Sequence, residues 1–83
     1  MKITVLYFAS IREALGVSQE TVTTEAATVG ALRDHLVQRG GAYAGLATKP
    51  PGVCMALNQQ LCQTSAPLSD GAEVAFFPPV TGG

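Results

Sequence analysis

Charge is scarce in this sequence. Only 13% of its 83 residues are Asp, Glu, Lys or Arg, and they leave a net charge of −1. With a pI near 5.6 there is no basic excess to attract nucleic acid. Long apolar runs are missing too: none approaches the ~20 residues of a membrane-spanning helix, and the first residues lack the charged and apolar regions of a signal peptide. The expectation is a cytoplasmic protein with no membrane and no nucleic-acid partner. No G-x-x-x-x-G-K-[ST] occurs, so the chain has no phosphate-cradling loop of its own. Cysteine is limited to Cys54 and Cys62, which form no C-x-x-C. A structural zinc site wants four ligands, and only His35 could be added to the two thiols. No metal site and no bound cofactor are expected. The thiols read as buried and reduced, and neither is assigned a role. His35 has no Cys, Ser or carboxylate partner in a catalytic pattern and reads as a surface or boundary residue.

What the chain does have is apolar material, 47% of its residues. That is enough for one compact domain, although a chain this short buries only roughly 60–65% of its unfolded surface and must pack efficiently. Lys2 to Ala9 reads as a strand, β-branched and aromatic throughout. Ile3, Val5 and Tyr7 share one face, and Lys2, Thr4, Leu6 and Phe8 the other. Ser10 to Leu15 suggests one or two helical turns with Ser10 as N-cap and Gly16 as the closing glycine. Ser18 to Thr24 reads as an exposed edge strand. Thr28 is a good N-cap for the main helix, roughly Val29 to Arg39, whose stripe of Val29, Leu32 and Leu36 faces the core and which stops at Gly40-Gly41. Ala42 to Ala47 offers a further turn of helix, and Lys49-Pro50-Pro51-Gly52 a loop. Val53 to Asn58 and Leu61-Cys62 form a hairpin about a polar turn, and Asp70-Gly71 turns the chain into a last strand, Glu73 to Phe77.

The order strand, strand, helix, strand, strand, strand predicts an α+β fold, a mixed sheet covered on one face by one main helix. In the last strand Val74 and Phe76 share a face, as do Glu73, Ala75 and Phe77. Should the first and last strands pair in parallel, Leu6, Phe8 and Phe77 would form one apolar patch. One long helix cannot cover both faces, which favours a partner surface over a second core layer.

Beyond Phe77 the chain runs Pro78-Pro79-Val80-Thr81-Gly82-Gly83. The prolines end strand pairing and favour extended backbone, so these residues form a tail that reaches roughly 16–20 Å. Two glycines give the thinnest stalk on which to present an α-carboxylate, ionised at neutral pH with a reference pKa of about 3.3–3.7. A carboxylate acylates nothing until its oxygen becomes a leaving group. Attack on the α-phosphate of ATP would give an acyl-adenylate open to thiols, persulfides or amines, and an activating enzyme must supply the nucleotide site. The expected organisation is a domain over residues 1–77 and a tail over 78–83.

Val5-Leu6-Tyr7-Phe8-Ala9, Arg12-Glu13, Ala31-Leu32-Arg33, Leu57-Asn58-Gln59 and above all Asp70-Gly71 with Glu73-Val74-Ala75-Phe76-Phe77-Pro78-Pro79-Val80-Thr81-Gly82-Gly83 carry a resemblance over the whole length. The chain resembles the small, sulfur-carrying subunits of molybdopterin synthase, within the ubiquitin-like β-grasp group that includes the thiamine sulfur carriers. The resemblance implies that Gly83 is adenylated by a ubiquitin-activating-type adenylyltransferase, which consumes ATP, and converted to a thiocarboxylate by a sulfurtransferase. It implies insertion of the tail into the synthase large subunit, within a heterotetramer, and sulfur donation to cyclic pyranopterin monophosphate to build the dithiolene. The small subunit would be a sulfur-donating co-substrate rather than a catalyst. The implied contact surface is Phe8, Leu61 and Phe77; Leu61 rests on the resemblance alone. A carrier for thiamine or another thiolated product, a protein modifier joined through Gly83 to lysines, and a plain binding module are the alternatives.

Overall fold

A computed structural model of the chain describes residues 1–47 and 53–79. The described residues form five strands and two α-helices, the helices falling between the first three strands. They are β1 (Lys2–Tyr7), α1 (Ala9–Leu15), β2 (Gln19–Thr23), α2 (Val29–Val37), β3 (Cys54–Leu57), β4 (Gln60–Leu61) and β5 (Glu73–Phe77), with a 3-10 helix at Gly41–Ala47 after α2. The strands form one mixed sheet in the order β2-β1-β5-β3-β4. β1 and β5 pair in parallel, Val5 opposite Val74 and Tyr7 opposite Phe76, and all other pairings are antiparallel.

Alternation along the strands decides the two faces. Ile3, Val5, Tyr7, Val22, Met55, Val74 and Phe76 meet Val29, Leu32 and Leu36 of α2 in one buried cluster. The 3-10 helix adds Leu46, and Ile11 and Leu15 of α1 pack at the margin. α2 begins as its sequence dictates, Thr28 Oγ1 accepting the Ala31 N–H at 3.1 Å. It ends at Val37 with Gln38 as C-cap, two residues short of the expected Arg39. Gly40 and Gly41, at φ +75° and +56°, then turn the chain into the 3-10 helix.

α1 differs from expectation at its start. Its N-cap is Phe8, in extended conformation and with no side-chain cap, while Ser10 lies inside the helix. The parallel ladder explains this: the Phe8 N–H donates to the Phe76 carbonyl at 3.1 Å, and the Phe8 carbonyl in turn accepts from Ile11. Pairing with β5 thus fixes where the chain leaves β1, against the preference for a capping Ser.

Gly30, in the first turn of α2, lies against the loop after β4. Its N–H donates to the Thr64 carbonyl at 2.9 Å, and a Cβ there would sit 2.9 Å from Thr64 Cβ and 3.0 Å from that carbonyl oxygen. Ala gains up to about 1 kcal/mol over Gly in helix propensity, but crowding backbone in a packed interior costs about 1–3 kcal/mol. Gly30→Ala is therefore expected to lower stability in a denaturant titration, and a more stable variant would show that the loop can move aside.

Glu20, on the edge strand β2, is the centre of a polar cluster that the sequence does not signal. Its Oε2 accepts from the Tyr7 hydroxyl at 2.8 Å and the Tyr43 hydroxyl at 3.0 Å, and its Oε1 from Arg39 Nη1 at 2.8 Å. The Arg39 guanidinium also lies 4.9 Å from the centre of the Tyr43 ring. Burial would raise the Glu20 pKa, but the bonds from Arg39, Tyr7 and Tyr43 outweigh it and hold the carboxyl below its usual value. Burial, then the bond to Glu20, pushes the Tyr7 hydroxyl well above its ordinary value of 10.0. The signs are opposite. The Glu20 contribution is present above the unfolded carboxylate range and is lost as pH falls through the lowered folded value. The Tyr7 contribution is present below about pH 10 and declines as pH rises past it. The melting temperature should fall at both ends, and Glu20→Gln should flatten the acid limb. An acid limb unchanged by Glu20→Gln would remove Glu20 from the account.

Candidate functional site

The second face of the sheet carries no helix among the described residues. Cross-strand partners point to the same side, so the registers define its rows. Leu6 pairs with Ala75, Ala75 with Ala56 and Ala56 with Leu61, one apolar row across four strands. The next row holds Phe8, Phe77 and Cys54, with Phe77 directly opposite Cys54. Thr4 and Glu73 border the patch on its other side. Ala56 and Ala75, each 9% exposed, form a low centre, while Phe8 at 44% and Leu61 at 78% stand out at the two edges. Phe77 and Leu6 are half-buried.

This arrangement brings together the three residues expected at a partner surface. Phe8 and Phe77 follow from alternation and the parallel pairing; Leu61 takes its place through the β3–β4 register. Large side chains around two alanines leave a shallow apolar trough, the shape that a partner's side chains fill. The patch lies where β5 ends, and Pro78 and Pro79, both half-buried, continue from Phe77. Val80, Thr81, Gly82 and Gly83 lie outside the described residues.

The cysteines separate by face. Cys54 sits on the open face against Phe77, whereas the Cys62 N–H donates to the Met55 carbonyl at 3.1 Å, which pairs Cys62 with Met55 and turns it towards the core. Burial pushes the Cys62 thiol up, so it stays protonated and inert. On opposite sides of a sheet the two thiols cannot form a disulfide with one another, and both are free.

His35 is exposed, its Nδ1 3.1 Å from the Thr24 hydroxyl oxygen, which also accepts the Ala26 N–H at 3.1 Å. It ties α2 to the end of β2 and borders a shallow groove of about 790 Å³ with Glu25, Asp34 and Arg39, on the helix side of the sheet and away from the apolar patch. No group of three or more His, Cys, Asp or Glu side chains that could hold a metal ion occurs among the described residues. No helix among them is long and apolar enough to cross a membrane.

A mixed sheet with one long helix across one face is the ubiquitin-like β-grasp architecture. The same fold is found in SAMP1 from Haloferax volcanii, with a TM-score of 0.82 at 27% identity and all of both chains covered. It also occurs in a complex of subunits 1 and 2 of the molybdopterin-converting factor from Helicobacter pylori, where the match covers all of both chains at 30% identity and a TM-score of 0.66. The chain belongs to the ThiS family, which it matches over residues 5–83. Among its relatives is the molybdopterin synthase sulfur carrier subunit of Escherichia coli (strain K12), 46% identical over 81 residues that cover 98% of this chain and 99% of the relative.

Proposed function

We propose that this chain is the sulfur-carrier subunit of a molybdopterin synthase, with residues 1–77 as the docking domain and 78–83 as the sulfur-bearing tail. The observation that carries the reading is the continuity of the open apolar face with the start of that tail: Phe77 lies in the face, and Pro78 follows it directly. A partner that covers Phe8, Leu61 and Phe77 thereby receives Pro78 and everything after it. The near-complete match to the E. coli sulfur carrier subunit, and the likeness to a subunit 1 in complex with a subunit 2, support a large subunit as that partner.

The chemistry begins at the Gly83 carboxylate. One oxygen attacks the α-phosphorus of ATP on an activating enzyme, pyrophosphate leaves, and an acyl-adenylate forms. A persulfide on a sulfurtransferase attacks the acyl carbon with its outer sulfur and expels AMP, giving an acyl disulfide. A second thiol then attacks the donor's inner sulfur, forms a disulfide with it and releases the thiocarboxylate. In the large subunit this sulfur bonds to a side-chain carbon of cyclic pyranopterin monophosphate as an oxygen substituent leaves, which gives a thioester between Gly83 and the pterin. Hydrolysis at the acyl carbon leaves the sulfur on the pterin. Water restores the carboxylate, and a second loaded tail completes the dithiolene.

Mass spectrometry of the chain from sulfur-replete cells tests this directly. One oxygen replaced by sulfur at Gly83 is the expected result. A second reading, a protein modifier, is favoured by the likeness to the H. volcanii small archaeal modifier protein. Isopeptide-linked adducts through Gly83, with no thiocarboxylate, would establish it instead.

A further inference from the structure

The hairpin that presents Leu61 is held by an unusual substitution of a side chain for main chain. β3 and β4 are joined by two residues only, Asn58 and Gln59, both left-handed at φ +50° and +71°. Consecutive left-handed residues make the tight hairpin turn whose twist suits the flanking strands, and Asn tolerates that conformation better than most residues. The register of β3 with β5 places position 58 opposite Glu73, one step beyond Leu57 and Val74. There the Asn58 N–H donates to the Glu73 carbonyl at 2.8 Å, as a ladder residue would. The return bond differs: the Glu73 N–H donates to the Asn58 side-chain Oδ1, at 3.0 Å. The Asn58 backbone has already turned away into the hairpin, and its side-chain carbonyl stands in for its own main-chain carbonyl. The ladder gains a final rung and the turn begins at the same residue.

That double role matters because β4 has little else to fix it. It is two residues long, lies at the sheet edge and pairs with β3 alone. Its Leu61 is the most exposed large apolar side chain described, and it closes the far side of the trough from Leu6. An exposed anchor on so short a strand is useful to a partner only if its position is settled before binding, because ordering it during docking would weaken the complex.

We propose that Asn58 is a positioning residue for docking: by bonding Glu73 through Oδ1 it locks the β3–β4 hairpin to β5 and holds Leu61 in register with Ala56, Ala75 and Leu6. This rests on the reading that the open face receives the synthase large subunit. It assigns a task to Leu57-Asn58-Gln59, which the sulfur chemistry leaves without one.

The test uses the whole chain and the purified large subunit, with affinity measured by calorimetry below the melting temperature of every variant. Asn58→Gly keeps the left-handed turn but loses the acceptor, whereas Asn58→Asp keeps both. Asn58→Gly is expected to weaken binding roughly tenfold, and Asn58→Asp to stay within about threefold of native. Leu61→Ala alone is expected to cost roughly tenfold, but only about twofold more when added to Asn58→Gly, because the two act through one anchor. A role in stability alone would lower the melting temperature of Asn58→Gly, leave its affinity unchanged and leave the full tenfold cost of Leu61→Ala in the double variant; that result overturns the proposal. Amide exchange at Glu73 and Cys62 supplies a readout that needs no partner, with faster exchange at both expected in Asn58→Gly and native rates overturning the lock. A native chain with no affinity for the large subunit would overturn the functional reading and this inference together. An effect of Leu61→Ala without any of Asn58→Gly overturns the inference alone.

Discussion

A chain shortened by Gly83 alone is expected to bind the synthase large subunit with native affinity and to deliver no sulfur. One residue of extended chain spans ~3.3–3.6 Å, so the shortened tail ends that far from the reacting centre. Misplacing a reacting group by about 1 Å can already cost on the order of 100-fold in rate, and a full residue should take transfer below detection. Affinity is expected to hold because the proposed docking face is built from β1, β3, β4 and β5 and the Phe8 that follows β1, all of it before Pro78. Single-turnover conversion of cyclic pyranopterin monophosphate, with a binding measurement on the same sample, checks both halves. Sulfur transfer by the shortened chain would refute the central claim, and lost binding would move the docking surface into the tail.

Phe77→Ala carries the second large effect, in the opposite sense: affinity falls while the carboxylate stays intact. The ring lies beside Phe8 and opposite Cys54 on the open face, half-buried in the free chain, and a partner would bury the rest. Central aromatic anchors of this kind lose about 2–4 kcal/mol on truncation, a weakening of roughly 30- to 1,000-fold. Calorimetric titration with the large subunit measures it, and a melting curve of the free chain serves as control. Native affinity with a lowered melting temperature would return Phe77 to the core. The neighbouring Phe76, fully buried and stacked on Tyr7, gives the contrast, because its truncation should unfold the chain.

Much of this site was legible in the order of residues because strand alternation is a rigid code. Two strands that begin polar and end aromatic on the same face, Thr4-Leu6-Phe8 and Glu73-Ala75-Phe77, announce a surface whose apolar part lies at one end. Parallel pairing of β1 with β5 then brings those ends together. The stripe of α2 and its Thr28 cap were equally plain, since both depend on neighbours within a few positions. What the residue order does not carry depends on distant contacts. Ser10 is a capping residue by type, yet the ladder to Phe76 moves the helix start to Phe8. Glu20 sits in an exposed-looking stretch, and only the fold brings Arg39 and Tyr43 to it from the end of α2 and the 3-10 helix. The place of Leu61 follows from a two-residue turn, and a shift of one position would have sent it to the other face.

The sheet order carries one further consequence, for the way the chain is made. Among the described residues β5 is synthesised after the other four strands and yet lies between β1 and β3. Until residue 77 has been added, the first half of the molecule and the β3–β4 hairpin share no ladder, and Val74 and Phe76 are missing from the core. Pairings that span most of the chain form slowly, because the whole intervening loop must close before any contact rewards it. A nascent or interrupted chain therefore never assembles the trough, since Ala75 and Phe77 arrive with the strand that completes the sheet. Completion of the described sheet and creation of this apolar face are a single event, so a partner of the kind proposed, reading this face, would meet only chains synthesised through residue 77.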